Sequence, residues 1–173
     1  MPFRLGLARV RHDWNRHAHA DPLWAILTDP QKKGGGWDPE SFFATGVWEI
    51  DGILRYAATL PVEFGRKRAL DFGCGAGRLT RALAAHFEEA WGVDISPAMI
   101  ELARRYTPAG RFVVSQDPSL TALPARDFDA FIERANVGVV PGWIVFVVGV
   151  IFNAAIFVFA IGTLRLREAT GEV

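Results

Sequence analysis

The sequence predicts an α/β fold: an incomplete parallel sheet of about four strands, entered through a helical lead-in and followed by a helix long enough to cross a membrane. Three observations carry this expectation. Between Gly65 and Arg134, short apolar strands alternate with amphipathic helices, a pattern that implies parallel strands joined by right-handed crossovers. Ahead of them, two Asp-Pro pairs open helical patterns. Behind them, residues 135–164 hold no charged side chain, and 22 of these 30 residues are hydrophobic.

Each element follows from local chemistry. Asp21-Pro22 and Asp38-Pro39 each supply an acidic N-cap with proline at the first helical position. The first opens a short helix to about Thr28. The second opens a longer one, with Phe42, Phe43, Val47, Ile50, Ile53, Leu54 and Ala57 at helical spacing before Pro61. Residues 1–65 therefore read as a helical lead-in, interrupted at residues 29–36 by glycines and prolines that suit a mobile loop. Arg68–Phe72 reads as a buried strand, and Ala76–Phe87 as a helix with Leu79, Leu83 and Phe87 on one face. Ala90–Asp94 is the second strand, Ser96-Pro97 caps a helix to Tyr106, Arg111–Ser115 is the third strand, and Phe128–Ile132 the fourth.

Composition narrows the function classes. The 173 residues carry 19 basic and 19 acidic side chains. A net charge of zero argues against a domain that grips a nucleic-acid backbone. Cys74 is the one cysteine, so no internal disulfide is available and nothing points to an oxidising compartment. The first residues lack an apolar stretch of signal-peptide length. Outside residues 135–164 lie 143 residues with all 38 charges, the composition of an ordinary soluble body.

The stretch that carries chemistry is Asp71-Phe-Gly-Cys-Gly-Ala-Gly77, between the first strand and its helix. Glycines at 73, 75 and 77 allow a tight turn and a close approach by a ligand, and the following helix directs its N-terminal amides there. A dinucleotide fingerprint would place its third glycine at the position of Arg78, so a pyrophosphate cradle is the weaker reading. Asp94 ends the second strand, where an acid accepts hydrogen bonds from ribose hydroxyls. Two acids around a glycine loop suit a ligand with an ammonium group and a ribose but no phosphates, the groups of S-adenosylmethionine.

Ala69-Leu-Asp-Phe-Gly-Cys-Gly-Ala-Gly-Arg-Leu-Thr80, with Trp91-Gly-Val-Asp-Ile-Ser-Pro-Ala-Met-Ile-Glu-Leu-Ala103, resembles class I S-adenosylmethionine-dependent methyltransferases over residues 66–133. The resemblance implies a Rossmann-like fold, with the lead-in as a cap over the cofactor. It implies that Asp71 and Gly73 meet the methionine ammonium and carboxylate, that Cys74, Gly75 and Gly77 form the loop wall, and that Asp94 holds the ribose. Ile95 and Met99 would pack near adenine and sugar. Asp117 would receive the adenine amino group, against its alternative as a turn residue. No side chain marks itself as a catalytic base. Methyl transfer rests mainly on positioning and exclusion of water.

Other residues favour plainer roles. Cys74 reads as a small buried filler rather than a nucleophile. His12, His17 and His19 lack the companions of a metal site and read as part of a solvated basic N-terminus. Arg66-Lys-Arg68 reads as a solvated strand entry, with an anionic lipid surface as the alternative contact.

The pattern follows the family to Ile132 and then leaves it, without the later strands that build most of an acceptor pocket. Residues 66–134 thus read as a partial cofactor-binding domain, 135–164 as a hydrophobic segment and 165–173 as a polar tail. As a helix, Trp143–Leu164 would span about 33 Å at ~1.5 Å per residue, against a hydrocarbon core of roughly 30 Å. The alternative is a pair of buried strands turning at Asn153. Two arginines on each side leave orientation undecided by charge. The cytosolic supply of the cofactor implied by the resemblance favours a single-pass protein with its body in the cytoplasm. The sequence therefore leads to a membrane-tethered methyltransferase acting on a small-molecule or lipid-associated acceptor. Its competitor is a non-catalytic, truncated or fused remnant that binds the cofactor or serves as a tethered scaffold.

Overall fold

Alternating side-chain size along the strands sets the architecture. In the computed structural model, which describes residues 2–61, 64–116, 123 and 128–133, the order is α1 (Pro2–Ala20), α2 (Pro22–Ile26), α3 (Pro39–Ala57), β1 (Arg68–Phe72), α4 (Arg78–Leu83), β2 (Glu89–Asp94), α5 (Pro97–Tyr106), β3 (Arg111–Val114) and β4 (Ala130–Glu133). The four strands form one sheet in the order β3-β2-β1-β4. β1 runs parallel to β2, with Asp71 opposite Gly92, and β2 runs parallel to β3, with Asp94 opposite Val114. The chain adds β2 and β3 on one side of β1 and β4 on the other. In open α/β sheets that reversal opens a crevice at the carboxyl ends of the strands, where ligands bind.

Small and apolar side chains face the helical layer. Ala69 and Ala90 pack with Leu79, Ala82, Leu83, Phe87 and Ile50, joining β1, β2, α4 and α3 in one core. Cys74, Ile100, Ala103 and Phe112 pack beside it, and Gly92 leaves the room that the Phe112 ring fills. On the opposite face Leu70, Trp91 and Val93 pack with Leu123. Burying Leu83 and Ile50 completely stabilises the α3–α4 contact by about 1.5–3 kcal/mol per side chain.

The strands and α5 match their sequence patterns closely, and the departures have local causes. α4 starts later than expected because Gly77, at φ +84, still belongs to the turn. Phe87 nevertheless keeps its place in the core after the helix has ended at Leu83. β4 starts later because the Asp129 carboxylate accepts the amides of Lys67 and Arg68 at 2.8 and 2.9 Å, closing the entry of β1. That entry is solvated as expected at Arg66 and Lys67, which are exposed, while Arg68 is half-buried. The Arg66 guanidinium lies over the rings of Phe64 and Phe87, and Arg68 Nε meets Glu89 Oε2 at 3.1 Å.

The lead-in is mainly helical, including α1, whose basic sequence reads as a solvated terminus. Trp14, Asn15 and Ala18 face inward at helical spacing, while His12, His17 and His19 are exposed. Asp38 caps α3 through the amides of Glu40 and Ser41. Asp21 instead turns away from α2, and its Oδ2 accepts the amides of Gly34 and Gly35 at 2.7 and 2.9 Å. The Trp24 indole donates to Asp29 O, and the Trp37 indole to Leu27 O, so residues 29–36 are joined to the lead-in by hydrogen bonds at Asp29, Gly34 and Gly35. Among the described residues no helix is long and apolar enough to cross a membrane. The apolar run 143–164 and Asp117 lie outside them.

Candidate cofactor site

The glycine loop is held by the strand beside it. The amides of Gly73 and Cys74 both donate to Val93 O, at 2.8 and 3.0 Å, so the chain turns sharply at the tip of β1. Gly73, Gly75 and Gly77 have φ values of +74, +53 and +84, a region that costs an L-residue roughly 1–2 kcal/mol. Their surroundings differ. A Cβ on Gly75 would lie 2.8 Å from Ile26 Cδ1, and one on Gly77 would crowd Phe112 and Ala103. A Cβ on Gly73 would meet nothing within 4 Å. Gly75 and Gly77 are thus glycines for packing as well as for turning. Gly73 faces open space.

Two buried carboxylates bracket this loop. Asp94, at the end of β2, accepts the Gly75 amide on Oδ2 at 2.9 Å and the Ser96 amide on Oδ1 at 2.8 Å. Burial raises its pKa, opposed by the amides of Ser96, Gly75 and Ile95. A carboxylate has about four acceptor sites, so ribose hydroxyls have lone pairs left to meet. Asp71 is 2% exposed, and its Oδ2 accepts the Thr80 hydroxyl at 2.6 Å. Burial pushes its carboxyl up to about 6, against the pull of Thr80 and Arg78. A positive group docking here would stabilise the ionised form. Thr80 sits inside the recognised motif, yet its role emerges only when α4 brings it back over β1.

The remaining residues fall into distinct places. Cys74 is buried against Ile100 and Phe112, so it offers the site only backbone, and burial with Asp71 and Asp94 nearby pushes its thiol well up. Ile95 is half-buried at the tip of β2, while the Met99 side chain is fully buried. Asp71, Gly73, Cys74, Gly75, Gly77, Asp94 and Ile95 therefore gather where β1 and β2 end. Among the described residues no group of three or more His, Cys, Asp or Glu is placed to hold a metal.

Sequence reasoning missed Arg78. This side chain is 2% exposed and reaches from α4 to α3, where Nη2 meets Glu49 Oε2 at 2.6 Å and Nη1 donates to Thr45 Oγ1 at 3.2 Å. Gly46 makes the approach possible, since a Cβ there would lie 2.5 Å from Arg78 O. An arginine following a glycine loop gives no sign in sequence of a partner 29 residues earlier.

The methyltransferase-domain family matches residues 69–142. The chain is 40% identical over 93 residues to a trans-aconitate 2-methyltransferase of Methylobacterium radiotolerans, covering 53% of this chain and 35% of the relative. It is 30% identical over 116 residues to that of Streptomyces avermitilis, covering 62% and 43%. The chain thus spans less than half the length of these relatives. Among solved structures it is similar to a Haemonchus contortus phosphoethanolamine N-methyltransferase, with 16% identity, a TM-score of 0.49 and coverage of 75% of this chain and 25% of the other. It is also similar to an amino pentose methyltransferase from Micromonospora echinaspora, with 25% identity, a TM-score of 0.44 and coverage of 64% and 48%. The strand order, the glycine loop between two acids and the sequence match over the same residues agree: residues 69–142 carry a methyltransferase domain of the class I S-adenosylmethionine-dependent type, and S-adenosylmethionine is the cofactor of such a domain.

Proposed function

We propose that this chain binds S-adenosylmethionine at the tips of β1 and β2 and transfers its methyl group to a small-molecule or lipid-associated acceptor. The observation that carries the reading is the pair of buried acids around a glycine loop in which Gly73 alone has open space at its Cβ position. Asp71 and Gly73 would hold the ammonium and carboxylate, and the backbone of Cys74, Gly75 and Gly77 would form the wall. Asp94 would hold the ribose, Ile95 and Met99 would lie toward adenine and sugar, and Asp117 would take the adenine amino group. When bound, the cofactor supplies a methyl group already activated by a sulfonium. The part left to this chain is to orient the reacting groups and exclude water. The relatives named for trans-aconitate support a small acceptor.

Residues 143–164 would tether the body to a membrane from its cytoplasmic side, a reading supported by a run of 22 uncharged residues. The change of pattern after Ile132 favours a second reading, in which the chain binds the cofactor without catalysing transfer, or acts as a tethered scaffold.

Calorimetry of the full chain with S-adenosylhomocysteine tests the site. Binding that weakens more than tenfold in Asp94→Ala supports it, and no binding by the unaltered chain removes it. Binding without a methylated product across a broad acceptor screen selects the second reading. Release of the chain from membranes by alkaline extraction would reject the tether.

A further inference from the structure

Asparagine is a poor residue for a helix interior, because its side chain competes for backbone hydrogen bonds. Asn15 nonetheless lies in the body of α1, turned inward toward the start of α5. There its Oδ1 accepts the Ser96 hydroxyl at 2.6 Å and the Ala98 amide at 3.4 Å. The Ala98 amide can only donate, which fixes Oδ1 as the atom of Asn15 that faces α5. Ser96 Oγ accepts the Met99 amide at 3.1 Å as the N-cap of α5, so the hydroxyl proton is free to go to Asn15.

Ser96 is also joined to the site. Its amide donates to Asp94 Oδ1, and Asp94 Oδ2 in turn accepts the Gly75 amide. An unbroken series of hydrogen bonds therefore runs from α1 through Ser96 and Asp94 to the glycine loop. α2 meets the same loop at the same glycine, where Ile26 stands against Gly75. The helical lead-in thus bears on both sides of the acid at the tip of β2.

We propose that Asn15 is a positioning residue: it docks α1 on the Asp94–Ser96 turn, so that ordering of α1 and occupancy of the cofactor site favour one another. The coupling rests on the cofactor reading above and acts through Ser96 and Asp94, with no contact between Asn15 and the cofactor required.

The test uses the full chain, S-adenosylhomocysteine as the probe, and two readouts: affinity by calorimetry and amide exchange across residues 7–20. In the unaltered chain the ligand should slow exchange in α1 as well as in residues 71–77. Asn15→Ala should weaken binding about five- to tenfold, the scale of one hydrogen bond, and abolish the ligand-dependent protection of α1 while leaving that of residues 71–77. Alanine is the better helix former, so such a loss would not come from unfolding α1. Asn15→Asp retains an acceptor, at a helix N-terminus that favours negative charge, and should return affinity to within about twofold of the unaltered chain. Unchanged affinity and retained α1 protection in Asn15→Ala would overturn the proposal, as would failure of Asn15→Asp to recover binding. No heat from the unaltered chain would instead remove the cofactor reading, and the coupling with it.

Discussion

The Oδ2 atom of Asp94 accepts the amide hydrogen of Gly75 at 2.9 Å, so the acid at the tip of β2 holds in place the loop that follows β1. One side chain thereby shapes the site and forms part of it. Removing it has two consequences, because the Gly75 and Ser96 amides lose their acceptor together. Asp94→Ala should lower stability by about 1–3 kcal/mol, the cost of leaving buried donors unpaired, in addition to weakening cofactor binding. Urea unfolding and calorimetry separate the two effects.

The glycines of the loop should separate stability from binding. Gly75→Ala meets both a left-handed backbone and the Ile26 side chain, and should destabilise the chain by about 2 kcal/mol or more. Gly73→Ala has the same kind of backbone cost, about 1–2 kcal/mol, but no protein atom in its way. It should be the milder change in thermal unfolding and the harsher one relative to its stability cost in S-adenosylhomocysteine titrations.

Asp71 makes stability depend on pH in a direction opposite to that of a salt-bridged acid. Its carboxyl rises from 3.8 to about 6 on folding, so the folded chain binds the proton more tightly than the unfolded chain. The contribution of the protonated form is complete below about pH 3.8 and is lost as pH rises through 6. Asp71→Asn should remove that slope and be the more stable chain above pH 6, by up to about 3 kcal/mol at ~1.4 kcal/mol per pH unit. Urea midpoints of both chains between pH 5 and 8 would reveal it. The ionised acid is costly because it is buried, and in the proposed function the cofactor's ammonium offsets that cost. The Asp71→Asn chain should therefore bind S-adenosylhomocysteine at least about tenfold more weakly.

The Arg78–Glu49 pair should show the asymmetry of a buried ion pair. Glu49→Ala leaves a nearly inaccessible guanidinium without its carboxylate, and should destabilise the chain by about 3 kcal/mol. Arg78→Met combined with Glu49→Leu removes both charges and should recover most of that loss. Chemical unfolding of the single and double variants measures the difference.

Cys74 should resist alkylation in the folded chain. Its thiol is buried and pushed well up by desolvation and by Asp71 and Asp94, so little thiolate is available at neutral pH. Iodoacetamide should label it at a rate that follows unfolding, and rapid labelling of the native chain would contradict the packing described.

Short apolar runs and a period-3.6 pattern were enough to place β1, β2, β3 and α5 to within a residue, because parallel strands are covered on both faces and burial of one helix face forces apolar residues into that spacing. The boundaries that shifted are those where distant groups intervene. The Asp129 carboxylate closes β1 and delays β4, and Asp21 leaves its expected cap for Gly34 and Gly35. α1 falls inside the expected helical lead-in, but its bounds were not legible, because its inward face is built on Trp14, Asn15 and Ala18, with much of its remaining surface basic.

By itself the sequence determined the order of strands and helices, the glycine turn and the two acids that flank it, since each depends on residues close together in the chain. Only the tertiary structure decided which acid holds the loop, that Thr80 returns to Asp71, that Arg78 finds Glu49, and that Asn15 stands on Ser96. Such partners are chosen by the crossing of helices over the sheet. A hydrogen bond between residues 81 positions apart leaves no periodic trace in the chain that makes it.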